Sequence, residues 1–315
     1  ESLFLKKIWP QSKLIIYCEF YYRNKGFDVD FDKEFATYDV YRDCKLDLKN
    51  FNNLLHFPQA DYAFSPTHWQ KSSFPDDFKD KIKVIHDGIN TNVASPDLNG
   101  NKFLLLNSKI RLTMKNEIIT FVNRNLEPYR GIHIFMRCLP RLLKERPNAH
   151  VLIVGGDGVS YGAAPKDAKS WKDKFVAEVM PKIDVQDRER IYFLGNISYN
   201  HFITMLQIST VHVYLTYPFV LSWSLMESMS VGCSIVASKT PPVEEVLTHG
   251  ETGILCDFFD VNGITNEVIR LLKDKNLRNK LSRNARQFII DNYDLEKVCL
   301  PLQVEWLESI NESSN

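Results

Sequence analysis

Two arginines, Arg124 and Arg130, bracket a proline-bearing loop, "FVNRNLEPYRG", that follows an apolar run. Each guanidinium is a rigid fork of charged donors, so a pair in one strand-to-helix loop can grip a diphosphate. Two solvated surface arginines fit the same letters. A second stretch, "VGGDGVSYG", sets Gly155, Gly156, Asp157 and Gly158 after another apolar run. Backbone without Cβ atoms lets a ligand approach closely, but the spacing is not G-x-G-x-x-G opening a helix, and a tight turn is an equal reading. In "YFLGNISYNHF", Leu194, Gly195 and Asn196 end a strand and Ser198 can cap the next helix. A nucleotide base can lie against that backbone, and a plain left-handed turn explains it equally well.

The stretch "TYPFVLSWSLMES" begins as a buried strand, breaks at Pro218 and restarts as a helix with Ser222 as its N-cap. The backbone N–H groups of Ser222, Trp223 and Ser224 would then be free for an anion. Glu227 falls about one turn into that helix, flanked by Leu225, Met226 and Met229. A carboxylate there can accept two hydrogen bonds from a ribose diol; an acid favoured by the helix macrodipole is the plainer alternative.

These loops need strands to hold them. From "IITFVNR" to "TGILCDF", continuous Val/Ile/Leu runs alternate with amphipathic segments such as "GIHIFMRCLPRLLKERP" and "SYNHFITMLQIS". That pattern predicts a doubly wound parallel sheet covered by helices on both faces, with ligands beyond the carboxyl ends of its strands. Upstream, "KLIIYCEFYY", "YAFSPTHWQKSSFP" and "IKVIHDGIN" read as strands with a capped helix, the closing half of another α/β layer. The expected organisation is residues 1–95 as that partial domain, 96–116 as an irregular connection, 117–290 as the second domain and 291–315 as a helical tail crossing back to the first. Pro301 marks a break or kink in the tail.

With 315 residues, two domains are the natural division. Lys+Arg and Asp+Glu both number 39, so no general field for nucleic acid or anionic membrane exists. The apolar runs fall short of the roughly 20 residues of a membrane helix, and the start lacks a signal peptide's pattern, reading as the interior of a longer protein. The six cysteines form no C-x-x-C pair and read as buried, reduced thiols, which points to the cytoplasm.

Taken together, "FVNRNLEPYRG", "VLIVGGDG", "IYFLG", "SLMESMSVGCSIVASKTPPVEEVL" and "ETGILCDFFD" make the chain from Ile118 to Asp260 resemble the nucleotide-sugar-binding domain of family-4-type retaining glycosyltransferases. A weaker likeness covers "ADYAFSPTHWQKSSFP" and "KVIHDGIN". The resemblance implies an α/β fold of GT-B type, two Rossmann-like doubly wound domains facing a cleft, the N-terminal one partial. It implies transfer, with retention, from a nucleotide-diphosphate sugar to a glycan or lipid-linked acceptor. Arg124 and Arg130 would clamp the diphosphate, Arg130 standing where Lys is usual. Asn123, Gly155, Gly156, Asp157, Leu194, Gly195, Leu221, Ser222, Trp223, Ser224 and Glu227 would line the donor site, with Glu227 on the ribose. Glu19 is a candidate for the acceptor side.

Two departures stand out. The first acid of the family's glutamate pair is replaced by Phe219, and the glycine-rich loop and sugar-side His of the N-terminal domain are not recognisable. No metal or other cofactor is expected. Location in the cytoplasm, with peripheral membrane contact, is the matching expectation. A nucleotide-sugar epimerase and a catalytically silent nucleotide-sugar-binding or scaffold protein stay open as alternatives. A dinucleotide-dependent oxidoreductase is disfavoured by the missing glycine fingerprint.

Overall fold

The computed structural model describes residues 2–36, 40–106 and 109–312. The chain divides into two compact units, one made of Glu1–Gly88, Pro218–Val220 and Leu295–Asn315, the other of Ile89–Tyr217 and Leu221–Asp294.

In the first unit β1 (Ile15–Tyr17), β2 (Tyr62–Ser65) and β3 (Ile82–Val84) form a parallel sheet in that order, over a core of Cys18, Phe57, Ala63, Phe74 and Ile82. The run 13–22 reads as a strand running into a loop, and Ile15–Tyr17 is the part that pairs. Beyond Tyr17 and Cys18, side chains satisfy the backbone: Tyr21 N–H donates to Ser73 Oγ, Tyr22 N–H to Asn50 Oδ1, and Gln70 Nε2 to the Glu19 carbonyl. Asn50 lies on a helix, Val40–His56, that the sequence reading does not assign, and it closes the pair by donating to the Tyr22 carbonyl at 2.6 Å.

Pro218–Val220 belongs to this unit. Phe219 is only 2% exposed, its ring 4.7 Å from that of Phe20, while its carbonyl accepts from Trp69 Nε1 at 2.9 Å. In the tail, a π-helical stretch, Leu295–Cys299, passes directly into the final α-helix, Leu300–Glu312, and Pro301, which has no N–H to donate, stands at that change of pitch, where the break was expected. That helix sets Trp306 edge-on against Phe64 and donates from Gln303 Nε2 to the His86 carbonyl at 3.0 Å.

The second unit opens with an antiparallel pair, β4 (Phe103–Leu106) and β5 (Ile110–Thr113). This corrects the reading of 96–116 as an irregular connection: Leu104, Leu106 and Leu112 are buried in the unit's core. The main sheet comprises β6 (Glu117–Asn125), β7 (Ala149–Gly156), β8 (Ile191–Gly195), β9 (Val211–Tyr214), β10 (Ile235–Ser238) and β11 (Ile254–Cys256). Its order is β11-β10-β9-β6-β7-β8, with every pairing parallel. Every residue of β9 and β10 is buried, as strands covered on both faces require. The chain runs outward from β6 to β8 and then returns to the other side of β6 at β9. The topological switch point, where such sheets leave a crevice for ligands, therefore lies past the carboxyl ends of β6 and β9.

Among the cysteines, Cys18, Cys138, Cys233 and Cys299 are buried as expected, but Cys44 is exposed and Cys256 half-buried; all six are free thiols.

Candidate nucleotide-sugar site

At the switch point the β6 loop folds back over β9. Gly131, with φ +70°, makes the turn into the helix Ile132–Glu145, and a Cβ there would collide with Leu215. This tight turn carries Arg130 across the seam. Its Nη1 donates to Thr216 Oγ1 at 2.7 Å and lies 3.5 Å from the Tyr214 hydroxyl. Hydrogen bonds from a charged donor are worth about 1.5–3 kcal/mol, enough to fix the guanidinium before any ligand arrives. Arg130 is only 5% exposed and the Tyr161 ring covers it, 5.0 Å from guanidinium carbon to centroid. It is thus a preset, covered charge and not the second of two open arginines. Arg124, at the end of β6, is exposed. Asn123 donates to the Arg130 carbonyl at 3.3 Å and so braces the loop from below.

Tyr161 is held by a residue the sequence reading passed over. Glu127 is 1% exposed, and its carboxylate accepts from the backbone N–H groups of Ser160, Tyr161 and Gly162 at 3.1–3.3 Å. Three successive amides turned onto one carboxylate fix the loop after β7 against the loop after β6. An acid just before a proline reads as a surface charge, and its partners lie more than thirty positions away; no local signal reveals it.

The glycines of "VGGDG" do permit close packing, but against side chains of the protein. A Cβ on Gly156 would come within 2.7 Å of Asn125 Oδ1, and one on Gly158 within 3.2 Å of the same atom. A Cβ on Gly155 would press on Leu126 at 2.8 Å. Asp157 is at the surface in an ion pair with Lys172 at 2.7 Å. After β8, Leu194 packs against the core and Gly195 takes the left-handed conformation, φ +62°, with open space where a Cβ would be.

The helix after β9 runs Trp223–Val231, with Ser222 as its N-cap. The expectation of three free amides needs correction. Ser222 N–H donates to the Tyr214 hydroxyl at 2.9 Å, and Ser224 N–H to Ser222 Oγ at 3.4 Å. Tyr214 is fully buried, and burial pushes its phenol up, with Arg130 opposing the shift, so the hydroxyl stays neutral. It therefore ties the helix start to the arginine. Leu221 is buried at 3% and Trp223 is 47% exposed.

Glu227, on the second turn, is half-buried. Its Oε1 accepts from the Tyr199 hydroxyl at 2.8 Å, and burial holds its carboxyl above the usual range. Arg130, Glu227, Tyr214 and Tyr199 all belong to the second unit. Glu19 lies in the first, exposed just past β1, beside Tyr17, whose hydroxyl donates to Asp87 at 3.0 Å.

A buried, pre-oriented arginine at a Rossmann-like switch point, with a half-buried carboxylate on the next helix, is the layout of a protein that holds an anionic, hydroxyl-bearing ligand. Residues 106–288 match the glycosyl transferases group 1 family, and residues 1–94 match the glycosyl transferase family 4 group. The chain belongs to the glycosyl transferases group 1 family, and its fold is of the α/β, GT-B type.

Among curated relatives, an uncharacterized glycosyltransferase of Methanocaldococcus jannaschii is 27% identical over 247 residues, which are 77% of this chain and 57% of that protein. N-acetyl-alpha-D-glucosaminyl L-malate synthase of Bacillus anthracis is 24% identical over 140 residues, 44% of this chain and 36% of its own. The matched stretches thus span between about a third and little more than half of these relatives' lengths. Among solved structures, Anabaena HepE in complex with UDP and glucose superposes with a TM-score of 0.68 at 16% identity, covering 97% of this chain and 74% of that one. Sucrose-phosphate synthase from Thermosynechococcus elongatus follows at a TM-score of 0.67 and 17% identity, covering 84% and 62%.

Proposed function

We propose that the protein transfers a sugar from a nucleotide-diphosphate donor to a hydroxyl of a glycan or lipid-linked acceptor, with retention at the anomeric carbon. The observation that carries this reading is Arg130, buried at the switch point and held toward the β6–β9 seam by Thr216, where a diphosphate would develop charge as the glycosidic bond breaks. Exposed Arg124 supplies the mobile half of the clamp. Glu227 accepts from the ribose, so it contributes binding more than bond cleavage. The reaction as proposed uses no metal, since fixed guanidinium charge does the neutralising. No helix among the described residues is long and apolar enough to cross a membrane, and we place the reaction on the cytoplasmic side, with peripheral contact to a membrane-borne acceptor.

The test is turnover. Arg124→Ala should lower kcat about a hundredfold or more, the scale of a lost charge-stabilising donor, while Glu227→Ala mainly raises KM. Because Arg124 is exposed, its removal should leave stability within about 0.5 kcal/mol of the parent. Equal kcat losses in the two variants would refute these roles.

A second reading, a nucleotide-sugar-binding protein without transfer, draws on Phe219. The position where the family carries an acid here holds a ring sunk among Phe20, Tyr22 and Trp69. Binding of a nucleotide sugar with no glycosylated product and no donor hydrolysis would favour it.

A further inference from the structure

We infer that Tyr199 is the positioning residue of the donor site: its hydroxyl holds one oxygen of the Glu227 carboxylate, so that the other alone is presented to the ribose. This rests on the reading of Glu227 as the ribose acceptor given above.

The geometry has three parts. Tyr199 is the first residue of the helix Tyr199–Ile208, whose N-cap Ser198 accepts from His201 N–H, so the tyrosine's backbone is fixed at the mouth of β8. Its ring lies 6.0 Å from Phe202 on the same helix and is 47% exposed, which leaves the phenol at the edge of the site and not in the core. Its hydroxyl reaches the helix after β9 and donates to Glu227 Oε1 at 2.8 Å. Among the described residues, Oε1 takes this bond and Oε2 takes none, although the carboxylate is half-buried.

A carboxylate free to turn about its terminal torsion meets a diol in many orientations. One whose Oε1 is bonded keeps a single plane and a single lone-pair direction for the incoming hydroxyls. Tyr199 thereby removes from the binding step the entropy of ordering that side chain, and selects the sugar by what Oε2 can reach. A neutral phenol suits the task because it donates without adding charge beside a diphosphate, and burial together with Glu227 pushes its ionisation above the ordinary range.

The experiment measures Kd by calorimetry for UDP, GDP and ADP, each paired with its 2′,3′-dideoxy counterpart, on the parent, Tyr199→Phe and Glu227→Gln. The parent should prefer at least one ribonucleoside diphosphate over its dideoxy form. Tyr199→Phe, a substitution on a half-exposed ring that preserves the fold, should shrink that preference about tenfold and leave the dideoxy affinity unchanged. Glu227→Gln should abolish most of it. If Glu227→Gln erases the preference while Tyr199→Phe keeps it whole, the Glu227 reading stands and the role of Tyr199 is overturned. If Tyr199→Phe weakens ribose and dideoxy ligands equally, Tyr199 merely shapes the pocket and the inference fails. A parent with no preference sinks the Glu227 reading and this inference with it.

Discussion

The Glu227 carboxyl is held above the usual carboxylate range because burial withholds water from its ionised form, and the Tyr199 hydroxyl recovers only part of that loss. The linkage follows in sign. A carboxyl with a raised folded pKa stabilises fully below its unfolded value of 4.5 and loses that contribution as pH rises through the folded value. Glu227→Gln, which keeps an acceptor for Tyr199 but carries no charge, should therefore gain in melting temperature relative to the parent as pH rises from 4 to 8. A gap that stays flat across that range would refute it. Stability given up at one half-buried acid is the expected mark of a binding residue. Glu227 and Arg124 were legible as letters because an acid among Leu225, Met226 and Met229, or an arginine after an apolar run, is locally conspicuous. Tyr199, Tyr214 and Glu127 were not, because what makes each matter is a partner brought near only by the sheet: Glu227, Ser222 N–H and the amides of 160–162 respectively.

At the scale of elements, the crossing loops after β6 and β7 behave as one piece. Glu127 joins them through three amides, and Tyr161 reaches from one loop over Arg130 on the other. Glu127→Ala should raise the hydrogen-exchange rate of Ser160, Tyr161 and Gly162 by tenfold or more, on the basis of about 1–3 kcal/mol for buried amides left without their acceptor. Unchanged exchange would show that the loop is held by something else. Gly131→Ala combines a positive φ with a collision against Leu215, and should destabilise the second unit by at least about 1–2 kcal/mol, read from its denaturant midpoint.

The parallel strands themselves were readable because burial on both faces writes them as unbroken apolar runs. The first unit was harder. Its strands are three or four residues long, the run 13–22 hands its backbone to Ser73, Asn50 and Gln70, and the helix Val40–His56 carries exposed Tyr41, Leu48 and Phe51 that blur its period.

Across the whole molecule, each unit encloses a neutral histidine. In the first, burial lowers His86 to about 4, and Gly88 N–H donates to its Nδ1; in the second, burial lowers His212 to about 3, with its Nδ1 2.9 Å from Thr120 Oγ1. A base with a depressed folded pKa contributes stability above its unfolded value of 6.5 and loses it as pH falls through the folded one. Melting temperature should thus decline from pH 6.5 toward pH 4. Each histidine adds at most about 1.4 kcal/mol per pH unit, and His86→Asn should flatten the decline; an equally steep curve in the variant would count against it.

The division of the chain also bears on the order in which it can be finished. The first unit takes Trp306 and Gln303 from the last helix, onto Phe64 and His86, and takes Phe219 from between β9 and the next helix. A ribosome delivers residues from the amino end, at about 5–20 per second. Phe20 is therefore made well before the Phe219 that packs on it, and Phe64 before Trp306, while every residue of the second unit is made before Trp306. The second unit, whose residues all precede Trp306, is thus the one free to settle first, and the first unit closes only when the segment after Asp294 docks.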